Sequence, residues 1–251
     1  MRVEILGTPV DALSFEKTLA MARHAMRERR VLHQVSLNVA KLVKMRSDAV
    51  LRDDVLASSI ISADGMGIVL AGRFLGQPLP GRVAGVDLML AVMQICAEDG
   101  FRPYFLGAKP EVVETAARIA CQRFPGLIMA GTRDGYFSEK DEEVVVREIV
   151  ASGADCLFIA MPTPRKERFL NRYRNSLGVS FIMGVGGSLD VLAGRVQRAP
   201  LWLQRAGLEW AYRVFQEPRR MFWRYASTNA VFAMLFIAAL AGRNFRARRL
   251  T

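Results

Sequence analysis

The residues best suited to chemistry are concentrated between Ile60 and Leu90, a stretch with six glycines, two aspartates and two arginines. Asp64 follows the apolar run 59–63 and precedes a glycine, so a strand is expected to end there by presenting one carboxylate on a sharp turn. Arg82 and Asp87 follow on a glycine-punctuated loop that leads into a helix. Because loops at strand ends display the functional groups of a rigid sheet, this stretch is predicted to be the centre of a site.

Each of these charged residues has a chemical role and a simpler structural role open to it. Asp64 can take a proton from a hydroxyl group as a general base, or it can form the turn before its glycine. Asp87 can orient a substrate or cap the following helix. Arg82 and Arg133 offer the forked donor geometry that suits a diphosphate. Alternatively, both are solvated loop residues. The residue types alone leave both sets of roles open.

Motifs for metals and cofactors are weak. No Asp-x-Asp pair occurs to hold a divalent cation on a diphosphate, which favours a reaction without a metal. Residues 184–187, Gly-Val-Gly-Gly, resemble a dinucleotide-binding turn, but the sixth position is Leu189 and the loop comes late in the chain. A plain tight turn and a phosphate cradle therefore both stay open. No cofactor is predicted.

The elements that must position these residues follow an alternating pattern. Apolar runs of strand length alternate with segments of helical period, which predicts a Rossmann-like α/β fold with a mostly parallel sheet covered by helices on both faces. The carboxyl ends of parallel strands lie on one edge, so Asn38, Asp64, Gly107, Arg133, Lys166 and Gly186 are expected to converge there. Seven strands are predicted, at residues 3–6, 33–39, 59–63, 103–106, 127–130, 156–160 and 179–183.

Composition limits the class of protein. The chain has 251 residues, enough for a large α/β domain with an appendage. The three cysteines lie in apolar surroundings without metal-ligand spacing, so buried free thiols in a reducing compartment are predicted for Cys96, Cys121 and Cys156. His24 and His33 have no partners at catalytic spacing and are interpreted as structural. The N-terminus enters strand-like sequence without a secretory signal, so a cytoplasmic core is expected.

The positive charge is concentrated at the C-terminal end. Residues 191–251 contain eleven arginines, no lysine and two glutamates, which is +9 of the net charge of +11. All three tryptophans are interleaved with these arginines, as in interfacial helices on anionic lipid. The apolar run 230–241 has twelve residues, short of the roughly 20 that a membrane-spanning helix needs. We therefore predict an α/β core (1–195) and a helical membrane-associating appendage (196–251) that attaches without spanning; packing of these aromatics on the core is the simpler alternative.

Several motifs together resemble the WecG/TagA/CpsF family of bacterial glycosyltransferases over nearly the whole chain. The matching segments are Ala63-Asp64-Gly65-Met66-Gly67, Arg82-Val83-Ala84-Gly85-Val86-Asp87, Phe105-Leu106-Gly107-Ala108, Gly135-Tyr136-Phe137, Gly184-Val185-Gly186-Gly187, Arg198-Ala199-Pro200, Gly207-Leu208-Glu209-Trp210, Glu217-Pro218-Arg219-Arg220 and Arg224-Tyr225. Agreement of so many segments is far more specific than any one of them.

The resemblance implies transfer of a sugar from a UDP-sugar to a polyprenyl-diphosphate-linked saccharide, with inversion and without a metal, at the inner face of the bacterial cell membrane. It also implies that Asp64 is the catalytic base. The residues then expected around the substrates are Ser36, Asn38, Arg82, Asp87, Gly107, Arg133, Lys166, Gly186, Gly187 and Asp190. Those expected on the diphosphate or the anionic membrane surface are Arg213, Arg219, Arg220 and Arg224.

Two positions depart from the pattern of the family. Ser36 replaces the usual threonine but keeps the hydroxyl group. Lys166 replaces the usual glutamine of the segment Pro164-Arg165-Lys166-Glu167, so a cation stands where an amide would bind substrate. We therefore hypothesise that Lys166 contacts the diphosphate or an acidic sugar.

Other classes of function stay open on sequence grounds. A non-enzymatic basic adaptor for membrane or nucleic acid is the main alternative, although an apolar run is a liability on a soluble nucleic-acid binder. A nucleotide-dependent oxidoreductase is the third, weakened by the imperfect glycine pattern. The sequence is compatible with a homo-oligomer. It leaves open which sugar is transferred and which acceptor receives it.

Overall fold

The computed structural model describes the backbone of residues 1–248 and the side chains of 1–219, 221–223 and 225–242. A six-stranded parallel sheet forms its centre, with strand order β4-β3-β8-β7-β5-β6. A separate antiparallel hairpin pairs β1 with β2. The strands are β1 Arg2–Ile5, β2 Thr8–Asp11, β3 Leu32–Leu37, β4 Ile60–Ala63, β5 Pro103–Gly107, β6 Gly131–Arg133, β7 Cys156–Ala160 and β8 Phe181–Gly184.

Helices connect the strands and cover both faces of the sheet, which confirms the predicted α/β class. A short 3₁₀ turn at Glu139–Asp141 precedes α7. The helices are α1 Phe15–Arg27, α2 Val39–Ser47, α3 Ala49–Leu56, α4 Met66–Phe74, α5 Gly85–Asp99, α6 Pro110–Arg123, α7 Glu142–Ser152, α8 Arg165–Tyr173, α9 Ser188–Leu192, α10 Leu201–Arg205, α11 Glu209–Gln216 and α12 Pro218–Arg248.

Local signals in the sequence place several helix starts. The Ser14 hydroxyl accepts a hydrogen bond from the Lys17 amide and caps α1. Pro110 occupies the first turn of α6, where its missing N–H costs nothing. Ser138 and Asp141 form the predicted capping box before α7. The predictions at Pro110 and at the capping box are confirmed.

Two strand predictions are wrong. The opening strand pairs with β2, which was not predicted, and lies in the hairpin instead of the parallel sheet. The strand predicted at 127–130 is an irregular segment, and the strand that pairs with β5 follows it as β6. At this point Gly131 lies against the ring of Tyr104, where an added Cβ would be 2.7 Å from the ring. The pairing of Gly131 with Tyr104 therefore suits a glycine, and the strand begins at this close approach instead of in the apolar run 127–130.

The two faces of the sheet carry separate apolar clusters. Residues Phe105, Phe158 and Met183 face the cluster under α1, α5 and α6. Their neighbours Leu106 and Ile159 face the cluster under α7 and α8. Such alternation is the period of two along a strand, and burial on both faces is typical of a parallel sheet. The sheet is therefore a rigid platform whose carboxyl edge carries the candidate site.

Helix α12 lies against α2 of the core. Its side chains Phe232, Leu235, Phe236 and Ala239 pack on the third apolar cluster, which is formed by the hairpin, β3, β4 and α2–α4. By length and composition alone, the segment Met221–Gly242 is long and apolar enough to cross a membrane, with 22 residues and a mean hydropathy of 1.5. The prediction that this segment is too short to span is therefore wrong, because the apolar helix continues on both sides of residues 230–241.

The cysteines are only partly as predicted. Cys96 and Cys156 are buried in the core as free thiols, as expected. Cys121, near the end of α6, is exposed. Its position is on the solvent side of an amphipathic helix, which the apolar composition of its neighbours concealed.

Candidate active site

Asp64 lies where β4 ends, at the carboxyl edge of the sheet. Its amide donates to the Leu37 carbonyl at 2.8 Å, which continues the pairing with β3 by one residue, and Gly65 then turns the chain with a φ of 118°. The N-terminus of α5 faces the carboxylate, and the Gly85 amide donates to it. An added Cβ on Gly85 would lie 3.6 Å from Asp64 Oδ2 and 3.7 Å from Ser36 Oγ. The first residue of α5 therefore lies within van der Waals reach of both the carboxylate and the hydroxyl.

The environment of Asp64 makes its carboxylate more basic than usual. Its pKa is raised from 3.8 to about 6, chiefly by burial and also by the nearby charge of Glu209, against the opposing effects of Arg82, the Gly85 amide and Lys41. A carboxyl group with a pKa just below neutrality is ionised at pH 7 and still accepts a proton readily. Asp64 is thus equipped to act as a general base.

Arg82 and Asp87 are held by the C-terminal appendage. Arg82 Nη1 lies 2.9 Å from Glu209 Oε2. Arg198 donates two hydrogen bonds to the Asp87 carboxylate, one of them from Nη2 to Oδ2 at 2.7 Å. Arg198 Nε also lies 3.6 Å from Glu209 Oε1. Asp87 does not cap α5, whose N-cap Ala84 makes no side-chain cap bond. It is an ion-pair partner in the first turn instead.

Polar residues lie along β3 and directly after it, on the strand that pairs with β4. The Gln34 amide donates to Ser36 Oγ at 3.3 Å. Asn38 caps α2, because its Oδ1 accepts from the Lys41 amide at 2.9 Å. Asn38 therefore has a structural role as the N-cap of α2. The Ser36 hydroxyl, in contrast, lies near Gly85, as does the Asp64 carboxylate.

Lys166 is buried in a cluster of charges and is only 5% exposed. Both Lys166 Nζ and Lys41 Nζ bind Glu167 Oε1, the latter at 3.0 Å, and the Thr163 hydroxyl donates to the same oxygen at 3.1 Å. Burial lowers the pKa of Lys166 to about 7, and the charge of Lys41 acts in the same direction. Burial alone would raise the pKa of Glu167, but Lys41 and Lys166 lower it to about 2.

A small cleft adjoins this cluster and includes Ser36 and Gly184 in its lining. The stem of Lys166 crosses Gly184 so closely that an added Cβ there would lie 2.6 Å from Lys166 Cε. Lys41 balances the charge of Glu167, and Lys166, with its pKa of about 7, adds a partial positive charge beside the cleft at neutral pH. The lysine does not project from the rim, so the hypothesised contact would have to be made through this cleft, whose accessible volume of about 10 Å³ holds no more than about one water molecule.

The glycine-containing loops that follow β5 and β8 contact different groups. The guanidinium of Arg213 lies over the loop after β8, where an added Cβ on Gly187 would be 2.6 Å from Nη2. Gly186 is exposed with a φ of 51°, and Asp190 lies in the first turn of α9. Gly107 has a φ of 117° and lies tight against the backbone of β7.

The predicted convergence at one edge is only partly realised. Asp64 follows β4 at one margin of the sheet, whereas Arg133 belongs to β6 at the other. Five steps of about 4.8 Å between strands separate them by roughly 24 Å. Arg133 is also engaged by Glu148, with both carboxylate oxygens 2.6 Å from Nη1. The structure therefore does not bring Arg133 to Asp64, because the strand order, which the sequence does not reveal, places them apart.

The other tail arginines predicted to contact the diphosphate or the membrane are Arg219, Arg220 and Arg224. Arg219 is exposed at the start of α12. The side chains of Arg220 and Arg224 lie outside the described residues. Arg198, Glu209 and Glu167 lie in segments compared with the family but were given no role of their own, and Lys41 was not singled out. Glu209 carried a signal, because it is one of only two acids among eleven arginines, and an isolated acid in a basic segment is a candidate ion-pair partner.

Potential metal ligands are not grouped in the part of the chain that the structure describes. Within it, no cluster of three or more His, Cys, Asp or Glu side chains is suited to hold a metal ion. The metal-independent reaction stays a prediction.

The chain is similar in sequence to known glycosyltransferases. The family model described as "Glycosyl transferase WecG/TagA/CpsF family" matches residues 3–246. An N-acetylglucosaminyldiphosphoundecaprenol N-acetyl-beta-D-mannosaminyltransferase of Bacillus spizizenii is 39% identical over 172 residues, which cover 68% of this chain and 65% of that protein. The protein of the same name from Bacillus subtilis is 34% identical over 168 residues, or 66% and 65% of the two chains. The match therefore spans slightly less than two thirds of the length of these relatives.

Proposed function

The chain belongs to the WecG/TagA/CpsF family of glycosyltransferases, and from this premise we propose that it transfers a sugar from a UDP-sugar to a polyprenyl-diphosphate-linked saccharide. The names of the two relatives specify an acceptor of this kind and an N-acetylmannosaminyl group. The proposal adopts the class of acceptor. The sugar is left to experiment, since Lys166 replaces an amide beside the candidate cleft.

The observation that carries the proposal is the environment of Asp64. Inverting transfer requires a carboxylate to take the proton of the acceptor hydroxyl while that oxygen attacks the anomeric carbon. Asp64 is placed on a rigid sheet edge and its pKa is raised to about 6, first by burial. The Ser36 hydroxyl and the N-terminus of α5 flank it. In the proposed reaction Asp64 is the base, and the new glycosidic bond forms as the bond from the sugar to UDP breaks.

The departing UDP carries a diphosphate whose charge must be stabilised. In the proposed arrangement this falls to Arg82, beside Asp64, and to Arg213, over the Gly186–Gly187 loop. Arginine offers paired donors that match phosphate oxygens without a metal. The division of the chain at residue 195 is part of the proposal, with the appendage supplying Arg213 to the core.

We further propose that the protein binds peripherally to the inner face of the cell membrane. The appendage exposes large apolar side chains, namely Leu201, Trp202, Phe215, Phe222 and Trp223, in a segment rich in arginine. Aromatic and basic side chains together suit an anionic interface. Packing of α12 on α2 supports attachment along the surface in preference to insertion across it.

The test is a screen of UDP-sugars for release of UDP in the presence of an undecaprenyl-diphosphate-linked N-acetylglucosamine acceptor. Release that depends on both donor and acceptor is expected, and mass spectrometry should show the acceptor heavier by one sugar. Purified protein that binds an oligonucleotide tightly and no UDP would contradict the proposal.

A further inference from the structure

The appendage lies against the residues around Asp64. The turn between α10 and α11 closes on Met66, where an added Cβ on Gly207 would lie 2.7 Å from Met66 Cβ. Phe232 of α12 approaches Gly67 at the start of α4, to within 3.9 Å of the position that a Cβ would take there. The turn that carries Asp64 is therefore bordered by core and appendage together.

Apolar burial does little to hold α10 and α11 in this place. Helix α11 has no buried residue, and α10 has one, Gln204. Nearby, Ala199 and Met221 are buried. A pair of short helices with so little apolar contact needs other links to keep a fixed position on the core.

An alternating chain of four charges supplies such links. Asp87 of α5 binds Arg198 through two hydrogen bonds, Arg198 lies 3.6 Å from Glu209, and Glu209 binds Arg82 at 2.9 Å. The two outer members belong to the core and the two inner members to the appendage. Each side chain is between 17% and 41% exposed, so all four are partly withdrawn from water. At the end of this chain of charges, the Val83 amide donates to the Ala63 carbonyl at 2.8 Å, which brings the adjacent residues Arg82 and Asp64 together, and the charge of Arg82 lowers the pKa of Asp64.

We propose that Glu209 is a positioning residue for the transfer reaction, which holds the Arg82 guanidinium beside Asp64 and joins the appendage to the core through Arg198 and Asp87. The inference rests on the proposed function for its effect on turnover. In this arrangement Asp87 acts on the appendage and touches no substrate. Glu209 also touches no substrate, and its influence passes through Arg82.

A competing interpretation of the same contacts predicts the opposite result. If Glu209 served to occupy Arg82 and keep it from the diphosphate, removing the charge of Glu209 would free Arg82 and raise turnover. If Glu209 positions Arg82, the same change lowers turnover. The sign of the effect separates the two.

The experiment compares Glu209→Gln, Glu209→Asp and the control Glu143→Gln in the full chain. Glu143 is a 75% exposed residue of α7 with only a 4.0 Å contact to Arg147. We expect Glu209→Gln to lower kcat by about 10-fold to 100-fold, since small misplacements at a site cost that much, with a smaller loss for Glu209→Asp and none for the control. The acid limb of the pH profile should shift to higher pH, because Arg82, which lowers the pKa of Asp64 by more than Glu209 raises it, is no longer held in place.

Amide hydrogen exchange supplies a readout that does not depend on activity. Glu209→Gln should speed exchange in residues 201–216 while the parallel sheet stays protected. Unchanged exchange and unchanged kcat, or a raised kcat, would overturn the inference. If the wild-type protein transfers no sugar, the proposed function fails by itself, and the exchange of residues 201–216 alone decides whether Glu209 holds the appendage.

Discussion

Replacing Asp64 with asparagine should separate catalysis from stability. The asparagine keeps the shape and can still accept the hydrogen bond from the Gly85 amide, but it cannot take a proton, so we expect transfer to fall by at least about 10²-fold to 10⁴-fold. The pKa of Asp64 is raised from 3.8 to about 6. At about 1.36 kcal/mol for each tenfold change in the ionisation constant, ionised Asp64 costs the folded state about 3 kcal/mol at pH 7.

This cost has a definite dependence on pH. Because the folded protein binds the proton more tightly, the carboxyl group lowers the free energy of unfolding progressively between pH 3.8 and about 6 and by a constant amount above that range. The neutral amide of the variant avoids this penalty, which already includes the favourable interactions of the charge with Arg82 and Lys41. The Asp64→Asn protein should therefore have a Tm at pH 7 equal to or above that of the wild type.

The assay combines UDP release, thermal unfolding at pH 7 and titration with UDP. Asp53→Asn is a matched control, since its side chain is 70% exposed on α3, and it should leave all three unchanged. For the wild type, kcat/KM should decrease tenfold for each pH unit below about 6. Turnover in Asp64→Asn at the wild-type rate would refute the assignment of the base. A large drop in Tm would refute the claim that burial disfavours the charge.

Three further predictions concern the neighbouring features. Lys166→Gln should fold, because Glu167 keeps Lys41 and Thr163, but it should raise KM for the preferred UDP-sugar about tenfold if the partial charge of Lys166 contacts the substrate; unchanged donor preference and rate would end that hypothesis. Gly184→Ala should lower Tm by several degrees because its Cβ would lie 2.6 Å from Lys166 Cε, and Lys166→Ala should relieve this loss in the double variant, as a thermal-unfolding cycle can show. Trp202→Ser with Phe215→Ser should weaken sedimentation with anionic vesicles while leaving Tm unchanged, since both residues are exposed; undiminished binding would contradict the proposed membrane surface.

The parts of the fold that the sequence revealed are those governed by local rules. Pro110 and the Ser138–Asp141 box mark helix starts because their effects act within one turn. The apolar run at 156–160 identifies β7 because a strand buried on both faces must be apolar throughout. Residues 127–130 misled because Leu127 is buried against the core without pairing. Apolar character reports burial, and burial does not require a ladder of hydrogen bonds.

The site was predictable to the extent that its groups lie at strand ends. Asp64 could be selected because a single carboxylate follows a buried strand and precedes a glycine. Its separation from Arg133 could not, since that depends on β4 and β6 occupying opposite margins of the sheet. Strand order depends on how distant segments of the chain pair, and the sequence around Asp64 and Arg133 does not indicate that order.

The role of the appendage shows why the charge pattern of a sequence needs a structure to interpret it. Eleven arginines suggested a surface for anions. However, Arg198 is bound to Asp87, and Glu209, one of the two glutamates among these arginines, binds Arg82. Since Arg82 and Glu209 act in opposite directions on the pKa of Asp64, displacement of the appendage would change both influences together. A base tuned by two residues from different parts of the chain is correctly tuned only when those parts are assembled. We therefore expect the catalytic base to reach its working pKa only with the appendage in place, which the shift of the acid limb in Glu209→Gln would reveal.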